Sequence, residues 1–284
     1  MKKLILFISA AMVSAASFGQ ADIRTKQYVI SDFKEKTLNV VLSGNGMEDA
    51  FLRDELQSVW NISAYEFCTR EEFEQRKKSE DWYFLAIAES TYKGEAEAGI
   101  KSICIYKGSA KASKNFEGMY KVVSIPYCTA KDSDGSETAF LAPLLTILQK
   151  EVTNIMSRPL NLGNEVIVGM NKSFSKWKKK LVIDENFLKE KMSPSLQATY
   201  KEEGLVINGE NDSSQLLADH DPESLVGYVA APVNAFKGDV CYTMVIDAGT
   251  WDICYIKKSR LGTGEKGGFS QSELKSMLKR ISIE

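Results

Sequence analysis

Along the chain, short β-branched apolar runs alternate with segments whose apolar residues recur every three to four positions, and the sequence of elements this predicts occurs twice. Thr37 to Ser43 (TLNVVLS) reads as a buried strand. Gly44-Asn45-Gly46 turns it into a helix with Phe51, Leu52, Leu56, Val59 and Trp60 on one face, and Asn45 with Glu48 three residues on predicts a capping box. A strand at Tyr65 to Cys68, a short charged helix at Glu71 to Lys78 and a buried-type strand at Trp82 to Ala88 follow. Two further strands, Ile100 to Lys107 and Met119 to Tyr127, lead into a helix from about Glu137 to Met156, whose Leu141, Leu144, Leu145, Leu148, Val152 and Ile155 keep helical spacing.

The order resumes at Leu181-Val182-Ile183. Ser193 caps a helix with Pro194 at its first position, and Gly204 ends it. A strand at Leu205 to Asn208, a polar stretch with Leu216 and Leu217, and a strand at Leu225 to Ala231 come next. Val240 to Ile246 and Trp251 to Lys257 form a hairpin through Asp247-Ala248-Gly249-Thr250. A last helix, with the capping box Ser270-x-x-Glu273, carries Leu274, Met277, Leu278 and Ile281.

This pattern predicts an α/β (mixed α+β) protein of two tandem β-α-β-α-β-β-β-α modules with mixed sheets, the arrangement of a structural duplication. A single mixed domain is the alternative. The boundaries are a signal peptide over 1–21, an N-terminal arm over 22–36, a first module over 37–157, a basic connecting segment over 158–180 and a second module over 181–284.

The signal peptide is read from Lys2 and Lys3, the apolar Leu4 to Ala16 and the small-residue exit Ser17 to Ala21. It predicts export to the periplasm or beyond, and no cysteine follows the apolar run to carry a lipid anchor. The apolar stretch is shorter than the ~20 residues of a spanning helix, and no transmembrane span is expected in the mature chain. Removing Lys2 and Lys3 from 36 basic against 38 acidic residues leaves 34 against 38, which offers nothing to nucleic acid phosphates. At 44% hydrophobic and 26% charged, the chain has the composition of a globular protein.

Candidate chemistry is sparse. Gly44 and Gly46 have dinucleotide-loop spacing with Glu66 some twenty residues on, but Asp49 occupies the third glycine position and sets negative charge where pyrophosphate would lie. Asp132-Ser133-Asp134-Gly135-Ser136-Glu137 resembles a fragment of a calcium loop whose first and last ligand positions fall on Ala130 and Leu141, so it reads as a capping turn. Gly262 to Gly268 lacks the Lys-Ser/Thr of a phosphate loop and reads as a flexible surface loop. His220 is the only histidine, which confines any Ser-His or Cys-His chemistry to it. No catalytic residue, metal ligand or cofactor is assigned.

Two sets of residues remain as candidates. Lys172, Lys176, Lys178, Lys179 and Lys180 form a basic amphipathic segment able to contact an anionic surface. Cys104 with Cys128, and Cys241 with Cys254, fall on neighbouring strands and are candidate disulfides, leaving Cys68 single. The functional expectation is an exported, non-enzymatic envelope protein that binds or assembles with another envelope component. The alternatives are a hydrolase of an envelope polymer using carboxylates such as Glu66, Asp184 or Asp247, and a small-ligand binder using the seam between modules.

Overall fold

A computed structural model describes residues 29–157 and 178–279. The first module runs β1 (Leu38–Val41), α1 (Gly46–Val59), β2 (Tyr65–Cys68), α2 (Arg70–Arg76), β3 (Tyr83–Ser90), β4 (Ile100–Lys107), β5 (Tyr120–Thr129), α3 (Leu141–Ser157). The second repeats it as β6 (Lys180–Asp184), α4 (Pro194–Glu202), β7 (Leu205–Asn208), α5 (Glu210–Ala218), β8 (Ser224–Ala230), β9 (Val240–Asp247), β10 (Ile253–Arg260), α6 (Gln271–Leu278). Each module forms one five-stranded mixed sheet, of order β2-β1-β3-β4-β5 and β7-β6-β8-β9-β10. The predicted signal peptide, together with Lys172 and Lys176, lies outside the described residues.

The register makes the two modules comparable residue by residue. Leu38 pairs with both Tyr65 and Tyr83, and Leu181 pairs with both Leu205 and Leu225, in each case parallel. Val41 therefore corresponds to Asp184, and Cys68 to Asn208. The first strand of each sheet is interior and flanked by parallel neighbours, which is why Val40-Val41 and Leu181-Val182-Ile183 read as consecutive apolar residues and not as an alternating pattern. The last three strands form an antiparallel meander.

Each sheet carries two helices on one face and one on the other. In the second module α4 and α6 cover one face, where Tyr200, Leu274, Met277 and Leu278 join Leu181, Ile183, Leu225 and Val245 in a closed core. In the first, α1 and α3 play that part against Leu38, Val40, Tyr83, Leu85, Ile103 and Ile105. The same apolar cluster continues across the seam into Val226, Tyr228, Tyr242, Met244 and Ile246 of the second sheet. Phe140 stacks on Tyr228 with centroids 4.0 Å apart, the Tyr228 hydroxyl donates to the Tyr127 carbonyl, and Lys150 pairs with Asp252 at 2.7 Å. Arm residues Ile30 and Phe33 are buried in the first core, and Asp32 accepts from the Tyr83 hydroxyl at 2.6 Å and the Lys107 ammonium at 3.0 Å.

Several local expectations change. All five cysteines are free and buried. Cys241 stands opposite Ser259, five residues along β10 from Cys254, which at ~3.4 Å per residue leaves the two far beyond the about 7 Å Cα limit of a disulfide. Cys128 stands opposite Lys101, three residues along β4 from Cys104, with the same consequence. The two expected capping boxes are half formed. Asn45 and Ser270 accept from the backbone as expected, but Glu48 turns to Lys101 at 3.0 Å, and Glu273 accepts from Thr243 and Tyr255, each at 2.8 Å. The complete box is at Thr69 and Glu72. The polar stretch around Leu216 and Leu217 is α5, with Leu217 buried against the first module's core.

Because one core spans both modules, Leu148→Ala, which empties a fully buried site in α3, is expected to cost about 2–5 kcal/mol. Hydrogen exchange of β4 and β9 amides should then accelerate together. Burial of the thiols predicts no alkylation of native protein within minutes and labelling of all five after denaturation without reductant, read by intact mass.

Candidate functional site

The crevice with the most chemistry opens at the seam, at the carboxyl ends of β6 and β8. In an open sheet of this order β6 is where the chain reverses direction across the sheet, with β7 on one side and β8 on the other, and such switch points leave a gap outside the strand ends. The cleft holds about 440 Å³, within the range of small-molecule sites. The second module contributes Asp184, Asn186 and Phe187 after β6, Ser213 of α5, Tyr228 to Val233 along and after β8, and Lys266-Gly267. The first contributes Cys128, Thr129 and the turn carrying Asp134, Ser136, Glu137 and Phe140.

Phe140 and Tyr228 stack, and Phe187 meets Tyr228 edge-on at 5.6 Å, so three rings make the apolar wall. Asp184 is 2% exposed and uses one carboxylate oxygen to accept from the Asn186 amide at 2.7 Å. Burial pushes its carboxyl above the usual range, against the opposing pull of the Asn186 amide and the more distant Lys266 ammonium. Asp134 is held below its ordinary value by the hydroxyl and amide of Ser136. Ser213 is 1% exposed, and its hydroxyl has no hydrogen-bond partner among the described residues.

The internal repeat shows what this corner would contain if packing alone decided it. Phe73 is the fourth residue of α2 and Ser213 the fourth of α5, and both helices begin two residues after the equivalent strand ends at Cys68 and Asn208. In the first module Val41, Cys68, Phe73, Phe84 and Ala86 close the corner as an apolar cluster. In the second, Asp184, Asn208 and Ser213 stand at the positions of Val41, Cys68 and Phe73. The cleft opens where the first module places a phenyl ring, and two of these three replacements are polar groups that remain buried.

The glycine-rich stretch is a correction. Thr263, Gly264 and Lys266 are exposed as expected of a surface loop, but Gly267 and Gly268 are packed, because a Cβ at Gly267 would lie 2.4 Å from the Ala231 Cβ and one at Gly268 2.5 Å from the Phe187 carbonyl oxygen. The pair packs the backbone against β8 and the Phe187 turn, and so sets Lys266 at the cleft's edge. At the β1–α1 turn, the Asp49 carboxylate accepts from the Ser43 and Gly44 amides, at 2.8 and 3.0 Å, occupying the donors a phosphate would use.

The remaining candidates are dispersed. Glu66 pairs with Arg76 on the far side of the first sheet, and buried Asp247 pairs with Lys179 at 2.6 Å while accepting from the Gly249 and Thr250 amides. Asp247 pairs with Leu225 at the start of β8, the opposite end of the sheet from Asp184, so the three carboxylates form no single cluster. His220 stacks on Trp251 at 4.2 Å in a left-handed turn, with Asp219 serving Gln215 and Asp221 serving Ser224. Of the basic segment, Lys178 and Lys180 are exposed and Lys179 is engaged by Asp247. Among the described residues no cluster of His, Cys, Asp and Glu is suited to a metal ion, and no helix is long and apolar enough to cross a membrane.

No family model, curated protein or solved structure matches this chain.

The raised carboxyl of Asp184 gives a signed pH effect. Its folded pKa lies above the ~3.9 of an unfolded aspartate, so stability falls as pH rises through the interval between them and stays reduced above it. Asp184→Asn keeps an oxygen for the Asn186 amide and removes the buried charge. The variant should melt above the parent at pH 7 and together with it at pH 3, by differential scanning calorimetry.

Proposed function

We propose that this is an exported protein that works by binding a small polar ligand in the seam cleft, without transforming it. The observation that carries this reading is the divergence of the two modules at one corner: Val41 and Phe73 against Asp184 and Ser213. A fold that closes this corner with apolar side chains in one copy has no structural need of a buried carboxylate and an unsatisfied hydroxyl in the other. A buried polar group without a partner costs roughly 1–3 kcal/mol, and a ligand that supplies the partner recovers it on binding. The aromatic wall and the few convergent polar groups are the usual make-up of such a site. Export follows from the signal-peptide pattern of the first twenty-one residues.

Ser213→Phe tests the site directly, because the equivalent position of the first module accommodates a phenyl ring. Filling the cleft should raise the melting temperature of the ligand-free protein by a few degrees, consistent with loss of a buried unpaired hydroxyl and gain of apolar contact. Any small molecule found to stabilise the parent in a thermal-shift screen of sugars, amino acids and amines should then lose its effect. Retention of that effect in the Phe variant would place the binding elsewhere.

A further inference from the structure

Building on the seam-cleft reading, we infer that the ligand carries a positively charged ammonium group, held by Asp184, Glu137 and the Ser213 hydroxyl against the Phe187 ring. The lining is rich in acceptors. Asp184 gives one oxygen to the Asn186 amide and Asp134 one to Ser136, so each keeps its other oxygen for a further donor, while Glu137 accepts from the Ser133 hydroxyl and also faces the Cys128 thiol and, at longer range, the Lys101 ammonium. None of the three forms an ion pair among the described residues. Among the described residues the one cation of the lining is Lys266, exposed at the rim.

The charge pattern points the same way. Three carboxylates face one lysine across a space with an apolar aromatic wall, where counter-charge is screened less than in water. An anionic ligand would meet the buried like charge of Asp184 beneath the half-buried Glu137 and the exposed Asp134, and a neutral one would leave Asp184 uncompensated. An alkylammonium supplies three donors in one small group and is drawn to the face of an aromatic ring. The neighbouring crevice of the first module shares Asp134 and Glu137 with the cleft, and there the Lys101 ammonium lies against Glu48, a cation provided from within the chain.

A linear polyamine and an aminated sugar both present this group, and the test separates them. Spermidine and glucosamine are titrated into the full mature protein by calorimetry, with 1,8-octanediol and glucose as uncharged counterparts. One of the two amines should bind with its uncharged counterpart at least tenfold weaker. Asp184→Asn and Glu137→Gln should each weaken that amine at least tenfold, and Lys266→Ala should tighten it. Circular dichroism checks that each variant is folded, and Asp184→Asn is the variant expected to gain stability. The ammonium inference is overturned if glucose binds as tightly as glucosamine, if both carboxylate variants bind the amine unchanged, or if neither amine binds at millimolar concentration. The seam reading fails separately, on the Ser213→Phe criterion, and it survives if an uncharged ligand proves to be the one that variant excludes.

Discussion

A β-sheet has two faces, and among the described residues the second module's own helices do not bury both faces of its sheet. Its α4 and α6 close one face, whereas the other has α5 over its parallel half, leaving Tyr228, Tyr242, Met244 and Ile246 to be covered by the first module. The first module does this with Phe140, the start of α3 and the β3–β4 connection. The Tyr228 hydroxyl, fully buried, requires an acceptor, and the Tyr127 carbonyl on edge strand β5 requires a donor. Each satisfies the other, so the seam is fixed by a mutual hydrogen-bonding need as well as by apolar area. Glu95 accepting from the Val240 amide and Arg260 donating to the Lys93 carbonyl extend the same logic along the rim.

The first sheet meets the equivalent need by itself. Its β4–β5 connection, 108–119, folds back so that Phe116 stacks on Tyr106 and packs against Phe73, while the corresponding β9–β10 connection is the short turn 248–252. Gly108 and Gly118 allow that return, since a Cβ at either would lie about 2 Å from a backbone carbonyl oxygen. Two modules of one topology thus differ in who covers the third-helix-free part of the sheet. One is self-capped and the other is capped by its neighbour.

The element order was legible because it rests on local periodicity. The β-branched runs of Leu38 to Val41 and Leu181 to Asp184, the Ser193-Pro194 start and the Gly204 stop are local signals, and the duplication followed from setting them side by side. What the sequence could not show was which faces meet. The second disulfide expectation fails because the β9–β10 connection is longer than a three-residue turn and a bulge between Ile253 and Tyr255 adds one more residue of shift, which sets Cys241 opposite Ser259. Gly262 to Gly268 was read by composition as exposed, when Gly267 and Gly268 are small because β8 and the Phe187 turn press against them. Of the cleft, Asp184 had been singled out as a strand-end carboxylate, but Ser213, Phe187 and Glu137 come from three separate elements and carry no local signature. One signal was present: aligning the two copies by their strand ends sets Ser213 against Phe73 and Asp184 against Val41.

That alignment is what separates the site from ordinary packing. Conservation is the common guide to function, but a duplicated chain contains its own comparison, in which the fold is held constant and only the side chains vary. Some differences exchange one apolar group for another, as with Phe84 and Val226, and others introduce a buried polar group that the chain itself satisfies, as Asn39 against Val182, Thr243 against Ile103 and Asp247 against Lys107. At Asp184 and Ser213 the exchange runs against stability: it introduces a desolvated carboxylate with a raised pKa and an unpaired hydroxyl, and it leaves a cleft where the sister module has a packed cluster. Changes that lower stability at buried positions are retained where something other than folding requires them. Both sit at the mouth of one crevice, at the switch point of their sheet, and the module that closes the other side of that crevice is the one the exposed sheet face already obliges to be there. The seam that solves the packing problem of the second sheet therefore also builds the walls of the cleft.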